Sequence, residues 1–160
     1  MEIKEAINLI ERGVSKDHVQ SWADLGAGSG LFTKALAALL PKGSSITAID
    51  KNVSKISAGH DVDIKVRAAD FLDLDFEDTD GVVMANSLHY VKDQKDFLSK
   101  LAKRTRRLIL VEYNTDKGNQ WVPYPVSFNK LKSIYPKAER IGEHTSQYHK
   151  EGMYAALIVF

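Results

Sequence analysis

The sequence predicts an α/β fold, a mostly parallel sheet with helices on both faces. Two observations carry that prediction, and the composition allows it. Strand-like and helix-like segments alternate along the 160 residues. Gly81-Val82-Val83-Met84 is a compact apolar run without alternation, as expected of a strand covered on both faces. Apolar residues make up 44% of the chain, enough for a sizeable core, and charged residues at 27% suit a solvated surface.

The elements follow in order. Ile3, Ile7, Ile10 and Val14 recur at helical spacing, so about the first dozen residues form an amphipathic helix that ends near Gly13. His18 to Leu25 reads as a strand, and Gly26-Ala27-Gly28-Ser29-Gly30 turns the chain. Phe32, Leu36 and Leu39 then mark a helix stopped by Pro41. Ser45 to Ile49 is a β-rich run ending in Asp50, followed by a brief helix (Asn52 to Ala58) and a strand (Val62 to Arg67). Asp70 to Asp80 is an acidic connection into the Gly81 run. A helix around Asp93 to Lys103 leads to Leu108-Ile109-Leu110-Val111, the most β-like segment of the chain. Gly118 to Pro125 is a loop, a short helix follows, and Ile141 to Tyr148 with Met153 to Phe160 forms a closing antiparallel pair.

Composition narrows the function. Lys plus Arg is 22 and Asp plus Glu is 21, a net charge of +1. That balance creates no long-range field to gather nucleic acid or an anionic membrane, so neither is the expected partner. No cysteine is present, which removes disulfide scaffolds, thiolate zinc sites and thiol catalysis, and no metal site is expected. No run approaches the ~18 apolar residues of a membrane span, and Met1–Ile10 does not resemble a secretory leader. The expectation is one cytoplasmic domain over residues 1–160, with a homo-oligomer left open.

In open parallel sheets, ligands bind at the carboxyl ends of the strands. After the first strand, the glycines allow a tight turn and close approach of backbone N–H groups, and the helix behind them presents its positive end. The spacing is G-x-G-x-G; Leu31 stands where a dinucleotide fingerprint needs its last glycine, which argues against a nicotinamide-dependent oxidoreductase. Asp50 follows the turn by about 20 residues, the offset of a ribose-binding carboxylate, although a lone Asp there also suits a helix cap. Asp70 and Phe71 offer an acceptor for an exocyclic amine and a stacking face. Asp24, Asp50 and Asp70 together outline an adenosine-shaped site.

The segments Asp24-Leu25-Gly26-Ala27-Gly28-Ser29-Gly30, Ala48-Ile49-Asp50, Ala69-Asp70-Phe71 and Asp80-Gly81-Val82-Val83-Met84-Ala85-Asn86-Ser87-Leu88-His89-Tyr90 resemble class I S-adenosylmethionine-dependent methyltransferases. The resemblance implies a Rossmann-like three-layer sandwich whose seven strands run in the order 3-2-1-4-5-7-6, the seventh antiparallel. It implies S-adenosylmethionine as cofactor and S-adenosylhomocysteine (SAH) as product. Its methionine part would lie over Gly26, Ala27, Gly28 and Gly30, its ribose on Asp50 with Lys51 beside it, and its adenine near Asp70 and Phe71. Asp24 would serve the amino end and Asn86 would line the reacting side. The Asn/Asp-Pro-Pro-Tyr/Phe motif of amino-methylating members is replaced here by Asn86-Ser87-Leu88-His89. No inserted cap domain is visible, so the N-terminal helix and the loops after the fourth and fifth strands would select the acceptor.

A sulfonium methyl is already electrophilic, so the protein mainly has to align the reactants. His89 is the nearest titratable candidate for a base, set against a plain surface or capping histidine, and no base is assigned. Trp121 and Tyr124, in a loop stiffened by Pro123 and Pro125, are substrate-side candidates set against simple packing of their rings. Tyr90 is a third, set against packing on the following helix. His144, Tyr148 and His149 rank below them. Lys100, Lys103, Arg104, Arg106 and Arg107 read as a solvated helix end rather than an RNA-facing patch. The expected activity is methyl transfer to a small-molecule acceptor; a non-catalytic cofactor-binding protein and an RNA methyltransferase are the alternatives.

Overall fold

The computed structural model describes residues 1–53, 55–57, 59, 61–145 and 150–160. Seven strands form one sheet: β1 Ser21–Leu25, β2 Ser45–Asp50, β3 Asp63–Ala68, β4 Gly81–Ala85, β5 Arg107–Tyr113, β6 Glu139–His144 and β7 Met153–Val159. Their spatial order is β3-β2-β1-β4-β5-β7-β6. The pairs β1·β2, β2·β3, β1·β4 and β4·β5 are parallel, and β7 runs antiparallel to both β5 and β6. This is the Rossmann-like order expected above.

Helices cover both faces. Helix α1 (Ile3–Ile10) and helix α2 (Leu31–Leu39) pack with Trp22, Ile46, Val83 and Ile109 on one face. Helix α3 (Gln94–Leu101) and helix α4 (Phe128–Ile134) pack with Ala23, Val82, Met84, Leu108 and Leu110 on the other. Consecutive strand residues enter opposite clusters, as the period of two requires, so the central strands are apolar throughout. Each helix also carries a local stop or start. The Glu5 carboxylate accepts from Glu2 N–H at 2.6 Å, Asp93 caps α3 by accepting from Asp96 N–H at 3.1 Å, and Ser127 caps α4 by accepting from Lys130 N–H at 3.1 Å. Pro41 follows α2 by two residues and removes the donor another turn would need.

The sequence reading and the structure differ in the bounds and kind of several elements. The first strand starts at Ser21, and Val19 is exposed, so its β-branched side chain has no face to pack on. No helix forms among the described residues of 52–58. Val53 and Ile56 are the only large apolar groups in that stretch, too little to offset helix nucleation. Ile56 instead drops onto Ala27 and Ala48, and β3 is left as an exposed edge. Tyr148 and His149 lie outside the described residues, and β6 ends at His144. The acidic connection after β3 contains a short 3-10 turn, Phe71–Asp73. Among the described residues, no helix is long and apolar enough to cross a membrane.

Candidate functional site

The carboxyl ends of β1, β2 and β3 meet around the glycine turn. Gly26 and Ala27 N–H both donate to Ile49 O, at 2.8 and 3.1 Å, which closes the turn against β2. Gly26 has a positive φ, and a Cβ there would lie 2.5 Å from the Ser87 Cβ, so the position has no room for a side chain. Gly28 also has a positive φ but faces open space, with no atom within 4 Å of an added Cβ. A ligand can therefore come up against this part of the backbone.

Asp50 sits beside that opening. Its Oδ2 accepts from Gly28 N–H at 3.0 Å and its Oδ1 from Asn52 N–H at 2.9 Å. The carboxylate thus shapes the turn while keeping lone pairs free for further donors. Asp70 accepts from Leu72 N–H at 3.0 Å and pairs with Lys51 Nζ at 2.8 Å. That pairing, with the Leu72 bond, holds the Asp70 carboxyl below its ordinary range. Phe71 reaches back toward Gly26, and its ring meets Phe97 edge-on at 6.0 Å. Asp24 lies beneath the turn, 1% exposed, accepting from the Thr33 hydroxyl of α2 at 2.6 Å. Burial pushes its carboxyl up to about 7 despite the Thr33 bond, and nearby Asp50 adds to the rise.

The ends of β4 and β5 build a second region. Ser87 Oγ donates to Leu25 O at 2.7 Å, which ties the end of β4 to the start of the glycine turn. Asn86 takes a positive φ, its N–H donates to Val111 O, and its Oδ1 is buried with no hydrogen-bond partner among the described residues. His89 is 2% exposed, not at the surface as expected. Its Nδ1 lies 2.6 Å from Glu112 Oε2, while Glu112 Oε1 accepts from His89 N–H at 3.1 Å. A continuous apolar strand brings Glu112 beneath the β4 loop. The ring stays there because the carboxylate pairs with it.

Above this pair is a cleft of about 540 Å³ lined by Asn86, His89, Tyr90, Tyr113, Asn119 and Trp121, with Val122 completing it. Tyr90 is 54% exposed and lines this cleft, so packing on α3 does not account for it. Trp121, 71% exposed, stands at the mouth. Tyr124 is not among the lining residues. Its N–H donates to His89 O at 2.9 Å and its carbonyl accepts from Gln94 Nε2 at 2.7 Å, so its backbone anchors the loop that carries Trp121. Sequence reasoning misses Glu112, Tyr113 and Asn119. The only signal for Glu112 is a carboxylate closing the most apolar strand.

A family model described as a methyltransferase domain matches residues 23–107, just over half of the chain. The chain belongs to this methyltransferase family. Its matched segment begins within β1 and reaches the start of β5, and so contains the glycine turn, Asp50, Asp70 and the Asn86–His89 loop. Among solved structures, the bifunctional kinase-methyltransferase WbdD superposes with a TM-score of 0.67 at 21% identity, covering 98% of this chain. This chain spans 38% of the length of that WbdD chain. A cyclopropane-fatty-acyl-phospholipid synthase-like protein from Lactobacillus casei ATCC 334 gives a TM-score of 0.74 at 10% identity, covering 99% of this chain and 90% of the other. The N-terminal domain of EvdMO1, solved with SAH bound, gives 0.62 at 15% identity, covering 98% and 80%. At these identities the likeness is one of fold. No curated protein matches the sequence.

The residues present fit the nucleoside cofactor that the resemblance implies. The open space at Gly28 is bordered by Asp50, and Asp70 and Phe71 stand at the neighbouring strand end. Two of these groups have other duties as well. Lys51 occupies one oxygen of Asp70, and Asp24 is turned toward Thr33 rather than toward the opening.

Proposed function

We propose that this chain transfers a methyl group from S-adenosylmethionine to a small-molecule acceptor. The observation that carries the reading is the contact between the two regions. Gly26, in the turn, lies against Ser87, and Asn86 and His89 of the same loop line the adjoining cleft. A donor site and an acceptor site side by side are what a direct transfer needs. When bound, the cofactor supplies an activated methyl on a sulfonium. The chain's part is to bind the sugar through Asp50, hold the amino-acid tail against the Gly26–Gly30 backbone, and aim the acceptor from the β4–β5 side. Alignment of this kind can supply up to ~7–11 kcal/mol of the barrier.

The basic cluster does not favour an RNA acceptor. Lys103, Arg104 and Arg106 flank the start of β5, at the opposite end of the sheet from the strand ends that build the cleft. Arg104 is already engaged with the Phe76 carbonyl and with Asp78. Among the described residues, no lysine or arginine lines the cleft.

Thermal melting with SAH tests the reading. At 100 times its dissociation constant a ligand stabilises by ~2.7 kcal/mol, which is a rise of roughly 5–10 °C for a domain of this size. Asp50→Ala is expected to lose most of that rise. Because Asp50 also holds two backbone N–H groups, the apo melting point of the variant falls too, so the increment on adding SAH is the quantity to compare. No increment for the wild type at millimolar SAH would overturn the reading.

A further inference from the structure

We propose that the β4–β5 cleft accepts a flat, uncharged hydroxyl compound of the phenol class, with His89 Nε2 taking the hydroxyl proton. This rests on the methyl-transfer reading above and deepens it.

The arrangement of His89 is the first ground. Both oxygens of Glu112 are engaged by this one residue, one by the ring at 2.6 Å and one by the backbone N–H at 3.1 Å. A carboxylate can only accept, so Nδ1 carries the hydrogen, and in the neutral ring it is Nε2 that holds the lone pair. The ring cannot swing without breaking a bond that is 1% exposed on its acidic side. This is the geometry of an oriented proton acceptor at the edge of a cleft, and burying two ionisable groups there is expensive unless they serve a purpose.

The walls are the second ground. Tyr90 stands 4.4 Å from the His89 ring, centroid to centroid, and Tyr113 stands 6.2 Å from it. With Trp121 they present three aromatic surfaces that suit a planar apolar ring. Apart from His89, the described lining residues carry no ionisable group other than the two tyrosines, so among the described residues none offers a cation for a phosphate or carboxylate or an acidic partner for an ammonium.

Chemistry selects among acceptor atoms. A neutral amine attacks first and sheds its proton afterwards, and a thiol ionises close to neutral pH. A phenol holds its proton to about pH 10, as tyrosine does, so it gains most from an oriented base. In the step, the hydroxyl oxygen forms the bond to the methyl carbon while the O–H proton passes to Nε2. The S–CH3 bond breaks with its electron pair left on sulfur, so sulfonium and neutral imidazole become thioether and imidazolium.

The test uses the full chain with catechol and 4-nitrocatechol, the second far more acidic than the first. In the first arm the SAH-loaded protein is titrated with 4-nitrocatechol at a pH where the free compound is mostly un-ionised. The wild type is expected to develop the absorption of the ionised form, and His89→Gln to bind without it. In the second arm His89→Gln loses ~10²–10⁴-fold in kcat on catechol, the range for a general base. It loses much less on 4-nitrocatechol at alkaline pH, where that acceptor arrives already ionised. Glu112→Gln, a positioning change, lowers kcat on catechol with KM little altered, and provides a second route if His89→Gln does not fold. Equal losses on both acceptors would assign His89 a structural role and overturn the proposal. A protein that gains the SAH increment yet neither binds nor methylates either catechol also overturns it, leaving the methyl-transfer reading intact; absence of the SAH increment removes both.

Discussion

On the β1–β2–β3 side of the proposed site, the groups around the opening are backbone N–H donors and carboxylates joined by bonds that span a turn or two neighbouring strand ends. On the β4–β5 side, a histidine and a glutamate 23 residues apart in sequence meet beneath aromatic walls. The first half depends on the absence of side chains at Gly26 and Gly28, and the second on two buried ones. The halves should therefore fail differently. Changes to the donor half should strike the backbone path and the response to SAH, while changes to the acceptor half should strike packing or turnover and leave that response in place.

The largest expected effect is Glu112→Leu. Leucine leaves both the His89 ring N–H and its backbone N–H without their acceptor in a dry site, and each buried donor left unpaired costs ~1–3 kcal/mol. Urea unfolding should show that loss, and the folded fraction should keep the SAH increment. A loss under ~1 kcal/mol would mean that the pair does not organise this half.

Next is Asp24, which probes the donor half through pH. Its folded carboxyl is raised from 3.8 to about 7, so the proton is held more tightly in the native state than in the unfolded chain. The resulting stabilisation is complete below pH ~4 and is lost as pH climbs through ~7. Each pH unit between those limits removes ~1.4 kcal/mol, so up to ~4 kcal/mol in all. Asp24→Asn should show a flatter profile across that window, read as urea midpoints from pH 4 to 8. A wild-type profile as flat as the variant's would show that Asp24 is ionised throughout. If Asp24 serves the amino end of the cofactor, the SAH increment of the wild type should also grow from pH 6 to 8.

The same contrast explains what the sequence discloses. The alternation of strand and helix, the glycine turn, Asp50 and Asp70 are readable because the chain places its polar groups at the breaks between apolar segments, whereas the strand order comes only through the family resemblance. The register of Asp24 over Ala48 and of Leu25 over Ile49 then follows from parallel pairing. Nothing local announces Glu112, because its meaning depends on β5 lying beside β4 and on the loop after β4 folding back over it. His89 looks like a turn residue for the same reason. The missing helix after β2 shows the opposite error: Val53 and Ile56 have helical spacing, yet Ile56 packs inward on Ala27 and Ala48 instead.

Gly26→Ala against Gly28→Ala sharpens the donor half alone. Both positions have positive φ, +81° at Gly26 and +51° at Gly28, so both alanines carry backbone strain and the one at Gly26 carries more. The added methyl meets Ser87 at Gly26 and only open space at Gly28. The difference between the two variants should therefore include an overpacking cost of ~1–3 kcal/mol, seen as a lower urea midpoint for Gly26→Ala. Gly28→Ala should keep more stability yet lose SAH affinity, since its methyl occupies the space a ligand needs. Equal stability in the two would mean that the turn relaxes around Ser87.

Trp121→Ala should have the smallest effect on the fold. With 71% of the residue exposed, truncation removes little buried area, and surface changes of this kind stay within about 0.5 kcal/mol. The ring stands at the mouth of the cleft on a loop held by Asn119, whose side chain accepts from the N–H groups of Trp121 and Val122 at 2.8 and 2.9 Å. The loop should therefore keep its shape when the indole is gone. An aromatic contact is worth ~0.5–1.5 kcal/mol, so 4-nitrocatechol binding to the SAH-loaded protein should weaken by about 2–13-fold while the SAH increment stays unchanged. A loss of thermal stability well beyond that range, with probe binding intact, would instead assign the indole to packing, and the acceptor half would end at Tyr90 and Tyr113.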